Sequence, residues 1–369
     1  MRPVAPRLAF IDALKAIASQ LVVLHHLALY GPMSDVAREL APALFAWLTQ
    51  DARIAVQVFL VIGGFLAAKT LAPAGQLLTT APLSMLKKRY LKLVIPYIAA
   101  VLLSLLCAAI ARRLMDHDSI PNPPTLSQML AHIALLQSLL DFDSLSAGVW
   151  YIAIDFQLFA LLLALLWLAR ATGKQFGGTS ILGFVFVAGL ILASLFHFNR
   201  NAIWDSWALY FFGSYGLGAF TYWATESERK PDWLPVMTAV VIAALIVDFR
   251  SRIALALITA LALGISRRWG FLESRPKGKL LAYLGKISYS VFLVHFSVVI
   301  VINGVFSRIS PENPAVNAFG VVFAWAASIG AGALFYRYVE SRAGQWQEFT
   351  INPLLRLLER FALVIRTKS

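Results

Sequence analysis

Asp12, Lys15, His25 and His26 interrupt an otherwise apolar run, Ile11-Asp12-Ala13-Leu14-Lys15-Ala16-Ile17-Ala18-Ser19-Gln20-Leu21-Val22-Val23-Leu24-His25-His26. An acid, an amine and two imidazoles in such a setting can pair charges and move protons. At about 100° per helical residue, Lys15 and His26 differ by about 20° in direction and share a face. The helical rise places His26 about 16.5 Å beyond Lys15. Asp12 falls within about 40° of that face, whereas His25 points about 100° away from His26. A second group, Trp150-Tyr151-Ile152-Ala153-Ile154-Asp155-Phe156-Gln157, opens another apolar run. Asp155 lies about one turn inside it, needs a partner there, and is expected to find one in His26. In Gly285-Lys286-Ile287-Ser288-Tyr289-Ser290-Val291-Phe292-Leu293-Val294-His295, Ser288 and His295 are seven apart and share a face. Finally, Lys87-Lys88-Arg89-Tyr90-Leu91-Lys92 sets four cations before Pro96-Tyr97. Backbone donors and basic side chains at a helix start suit a phosphate or a lipid head group.

The elements that carry these groups must be membrane helices. Of the 369 residues 59% are hydrophobic and 14% charged, and mean hydropathy is +0.73. A soluble domain carries about 25% charged residues, so too few charges exist to coat soluble domains of this size. Ten apolar runs approach the roughly 20 residues that cross a bilayer: 11–30, 54–72, 93–112, 150–169, 180–197, 207–224, 234–248, 252–266, 287–306 and 316–337. A further run, 127–140, makes only about 21 Å of helix and reads as re-entrant or interfacial. With ten spans and a cytoplasmic N-terminus, 22 of the 32 Lys and Arg fall inside and 8 outside, leaving Lys15 and Lys69 within spans. That bias has the sign of the positive-inside rule. The net charge of +13 is therefore read as orientation, with no nucleic acid expected. The fold expected is an all-α polytopic bundle of about ten helices with both termini cytoplasmic. Its parts are an N-terminal segment 1–10, a transmembrane domain 11–341, and an amphipathic tail 342–369 on the inner surface. No cleavable signal is read in Met1 to Phe10. The lone Cys107 excludes an intrachain disulfide.

In order and spacing these motifs resemble the acyltransferase-3 family of integral membrane enzymes. Asp12-Ala13-Leu14-Lys15-Ala16 with His26 is similar to the family's Asp-Gly-Leu-Arg-Gly and following histidine, with Lys for Arg. Phe59-Leu60-Val61-Ile62-Gly63-Gly64-Phe65 resembles Phe-Phe-x-x-Ser-Gly-Phe, with Gly63 in place of Ser. Arg89-x-x-Lys92 before Pro96 resembles Arg-x-x-Arg before Pro, and Trp150 to Asp155 resembles Trp-x-Leu-x-x-Glu with Asp for Glu. Gly285, Ser288, Tyr289, Phe292, Leu293 and His295 follow Gly-x-x-Ser-Tyr-x-x-Tyr-Leu-x-His, and Tyr338-Val339-Glu340-Ser341 resembles a Glu-x-Pro ending without its Pro.

The resemblance, in stand-alone form, implies an acyltransferase of the EC 2.3.1 type in a bacterial inner membrane. Its donor would be acyl-CoA, most often acetyl-CoA, and its acceptor a hydroxyl of a cell-envelope glycan, a lipid or another small molecule. No metal is implied. Arg89 and Lys92 would receive the CoA phosphates, and the pantetheine arm would pass Lys15 toward His26. His26 would be the base, oriented by Asp155; Ser288, Tyr289 or His295 would hold the oxyanion, with Trp150 near the acceptor. The segment 113–149 is expected to select the acceptor. Membrane lipids are the expected surroundings, and a homo-oligomer is compatible with the sequence. A proton-coupled transporter or flippase would use the same intramembrane His and Asp, but internal repeats, common in transporters, are not evident.

Overall fold

A computed structural model describes residues 8–78, 81–176, 179–226 and 232–346, with the side chains of 174–176, 179 and 180 excepted. The chain runs through α1 (Ala9–Leu29), α2 (Pro32–Ala37), α3 (Pro42–Gln50), α4 (Val56–Leu71), α5 (Pro82–Leu114) and α6 (Leu126–Ile133). It continues through α7 (Val149–Phe176), α8 (Thr179–Phe196), α9 (Ala208–Ala224), α10 (Leu234–Val247) and α11 (Ser251–Arg268). It ends with α12 (Phe271–Ser274), α13 (Lys279–Ile309), α14 (Pro314–Tyr338) and α15 (Ala343–Trp346). No strand occurs among the described residues. Helix is what hydrocarbon demands, because each backbone donor and acceptor must be satisfied within its own segment.

Seven helical stretches among the described residues are long and apolar enough to cross a membrane: those beginning at Ala9, Ala52, Pro82, Val149, Ile181, Lys279 and Pro314. The other three expected spans also form helices. However, α9 has 17 residues and α10 has 14, while α11 carries Arg252, Arg267 and Arg268. The expected start of one span at 93 is corrected to Pro82. The helix therefore contains the whole basic run 87–92, expected at its start. The expected tail lies outside the described residues from 347 onward, as do residues 1–7.

The 127–140 region does not cross the bundle; it dips into it. Helix α6 has eight residues, about 12 Å of length. Ile133 O accepts from Tyr90 Oη at 2.7 Å and Leu135 O from Gln157 Nε2 at 3.0 Å. The returning chain then brings Leu145 O to Ser104 Oγ at 2.9 Å, about 21 Å along α5 from Tyr90. The segment is thus packed against α5 and α7 without forming a crossing helix of its own.

Helix α13 packs extensively on α14, α1 and α5, and α4 packs on α9. The α4–α9 crossing is set by small residues: a Cβ on Gly64 would strike the carbonyl of Tyr215, and one on Gly218 the carbonyl of Val61. Close backbone approach through glycine is a usual means of helix association in lipid. Here it presses Tyr215 against the neighbourhood of Gly63.

Candidate active site

A cavity of about 880 Å³ lies between these helices. Along α5 it is lined by Met85, Lys88, Arg89, Lys92 and Leu93, a stripe spaced i, i+3, i+4, i+7, i+8 on one helical face. Lys15, Asp155 and Glu340 also line it, so four cations face two carboxylates. That excess of positive charge suits an anionic ligand. Ser290 Oγ donates to Glu340 Oε2 at 2.5 Å.

Arg89 reaches from α5 to Asp155 on α7, its Nη2 donating to Oδ2 at 2.5 Å. Side-chain exposure is 30% for Arg89 and 7% for Asp155. The guanidinium also stands 5.4 Å from the Phe159 ring centroid. Arg89 Nε and the Tyr215 hydroxyl are buried without a hydrogen-bond partner. The expected Asp155–His26 pair is thus replaced by Asp155–Arg89. The reason is the downward extension of α5, which brings a cation to the depth of Asp155, and a cation satisfies a buried carboxylate better than neutral imidazole does.

His26 is instead paired with His295. The rings lie edge to edge in nearly one plane, with centroids 4.9 Å apart and planes within 5°, and His26 Nδ1 lies 2.7 Å from His295 Nε2. His295 Nδ1 faces two main-chain carbonyls, Phe292 O at 2.7 Å and Val291 O at 3.3 Å. Carbonyls only accept, so His295 Nδ1 carries the proton. With both rings neutral, His295 Nε2 must accept and His26 Nδ1 must donate to it. The lone pair of His26 then resides on Nε2, and a fixed tautomer with one free lone pair is what a general base requires. His25 points away, as expected, with its Nδ1 2.9 Å from Leu48 O.

The imidazole pair stands beside the cavity rather than on its lining. Neither His26 nor His295 lines the cavity, whereas Tyr151 and Phe292 do. Their rings meet edge-on at 5.6 Å, and Phe292 stands 6.1 Å from His295.

Six of the expected site residues, Lys15, Arg89, Lys92, Asp155, Ser288 and Tyr289, come together at the cavity. Ser288 Oγ donates to Gly285 O at 2.9 Å and Tyr289 Oη to Leu93 O at 3.2 Å, so both hydroxyls are engaged by backbone. Trp150 stays apart, against Tyr151 and Phe211. Sequence reasoning missed Tyr215 and the partition formed by Tyr151 and Phe292. The α5 stripe was legible in the spacing of residues 85–93; the partition was not, since aromatic residues occur throughout. Among the described residues no group of three or more His, Cys, Asp or Glu is gathered to hold a metal ion.

No curated protein and no solved structure was found to match the chain. The family model described as an acyltransferase domain matches residues 8–337, nearly the whole length, and the chain belongs to the acyltransferase-3 family.

Proposed function

We propose that this protein moves an acyl group, most simply acetyl, from cytoplasmic acyl-CoA to a hydroxyl of a cell-envelope glycan, lipid or other small acceptor. The observation that carries the reading is the pairing of a cation-lined cavity with a tautomer-fixed imidazole just beyond its aromatic end. CoA phosphates would rest on Lys88 and Lys92 at the cavity mouth, with Arg89 held by Asp155 deeper in. His26 Nε2 takes the acceptor hydroxyl proton as its oxygen attacks the thioester carbon. The C–S bond breaks, an ester forms, and the proton passes to the departing CoA thiolate. Lys15 borders the path. His295 acts here by fixing the tautomer of His26. Trp150, Ser288 and Tyr289 are assigned to shaping the acceptor side.

The same reading takes 11–341 as the catalytic domain, counts about ten crossings with α9, α10 and α11 included, sets both termini in the cytoplasm of a bacterial inner-membrane protein, and gives the outward 113–149 segment the choice of acceptor. The test is His26→Ala in membranes supplied with labelled acetyl-CoA. Loss of label transfer at matched expression is expected; undiminished transfer refutes the assignment.

A further inference from the structure

Phe292 belongs to two environments at once. Phe292 lines the cavity, its ring centroid stands 6.1 Å from that of His295, and the residue is 5% exposed. Gly148 marks how tightly this place is filled. It has φ +81, and a Cβ built on it would lie 2.9 Å from Phe292 Cζ and 3.5 Å from His26 Cε1. The tip of the phenyl ring and the edge of the catalytic imidazole thus converge on a position that carries no side chain. A thioester advancing through the cavity meets this ring before it meets His26.

We propose that Phe292 determines which acyl groups the protein transfers: its ring must yield to the incoming acyl group, and the space it gives up beside Tyr151 and Gly148 admits only a short one. This deepens the acyl-CoA reading above and rests on it. The selectivity is steric. A methylene that fits or fails to fit an apolar site changes discrimination about 10-fold or more, so removing the ring relaxes the ceiling by several carbons. Tyr151 then forms the remaining wall. The backbone carbonyl of Phe292, which anchors His295, survives any side-chain replacement, so loss of the ring leaves the proton-handling arrangement in place.

The experiment presents acetyl-, butyryl- and hexanoyl-CoA to membranes from cells producing the full chain. Free CoA thiol is measured above the His26→Ala background. Wild type is expected to favour acetyl, and Phe292→Ala to raise the hexanoyl-to-acetyl ratio at least about 10-fold. Phe292→Leu, which keeps bulk and guards against a poorly folding alanine variant, is expected to shift the ratio in the same direction by less. Phe292→Tyr keeps the wild-type order. Gly148→Ala, which crowds the ring, lowers transfer of all three donors together. An unchanged ratio in both Phe292→Ala and Phe292→Leu, or a wild type that already prefers hexanoyl, overturns the proposal. A wild type that releases thiol from none of the three donors overturns the acyl-CoA reading itself.

Discussion

Replacing Asp155 with asparagine keeps shape and removes one charge from a pair that α5 and α7 share. Two unit charges about 4 Å apart attract by about 4 kcal/mol at an effective dielectric of 20. Removing one partner of a fully buried pair costs about 3–5 kcal/mol, because the other charge is stranded. Asp155 is nearly closed off but Arg89 is 30% exposed toward the cavity, so water reaches the stranded guanidinium and part of the cost is recovered. We expect Asp155→Asn to destabilise the protein by about 2–4 kcal/mol. The assay is denaturant unfolding of the full chain in mixed micelles, run as a cycle with Arg89→Gln and the double variant. Coupled partners should give an interaction energy of about 2 kcal/mol; independent sites add within about 0.5 kcal/mol. Additive behaviour would show that the pair contributes nothing as a pair, and the account of why Asp155 chose Arg89 over His26 would fall with it.

Three further outcomes follow from the geometry. His295→Ala should lower turnover by about 10²–10⁴ while leaving the donor KM unchanged, because His295 does not line the cavity; a matching rise in KM in acetyl-CoA titrations would contradict the separation of the two compartments. Gly64→Ala should cost about 1–3 kcal/mol of stability through crowding at the α4–α9 crossing, whereas Gly189→Ala, where nothing stands within 4 Å of a Cβ, should be neutral in the same melts; equal effects would refute the crossing argument. His132, buried in the re-entrant segment, has its Nδ1 facing Gln128 O at 2.9 Å and its Nε2 accepting from Leu145 N–H at 3.2 Å, and burial holds its pKa below the usual imidazole value. Neutral His132 therefore stabilises the segment fully above about pH 6.5, and that stabilisation drains away as pH falls toward the lower folded value. Exchange at the Leu145 amide, corrected for intrinsic rate, should quicken between pH 7.5 and 5, and His132→Gln should abolish the difference; flat protection would exclude this role.

The sequence made the helical class plain because apolar runs and scarce charge leave no other backbone solution. It also put Lys15 and His26 on one helix, of which Lys15 reaches the cavity and His26 meets His295 instead. What it misread was depth. Hydropathy starts one span at Leu93 with the cations at its edge, yet the helix begins at Pro82 and Lys88, Arg89 and Lys92 turn inward to the cavity. Arg89, read in the sequence as a helix-start cation suited to a phosphate, stands in the fold as the partner of Asp155. The His26–His295 pair joins residues 269 positions apart, a distance that no local pattern bridges. The re-entrant segment was legible as too short to cross, but its hydrogen bonds to Tyr90 and Gln157 depend on how α5 and α7 lie side by side.

The acceptor that settles the proton on His295 belongs to the main chain at Phe292, and every amino acid brings the same carbonyl. Replacing the side chain at 292 does not delete it, so apolar replacements that keep the helix will differ chiefly in bulk and leave the histidine couple in place. Disturbing that couple from this helix takes a distortion of the peptide itself. A proline at position 296 would do so, because its ring clashes with the carbonyl four residues earlier. A site whose gate is written in a side chain and whose base is steadied by the peptide can change its choice of cargo by single substitutions without losing its chemistry.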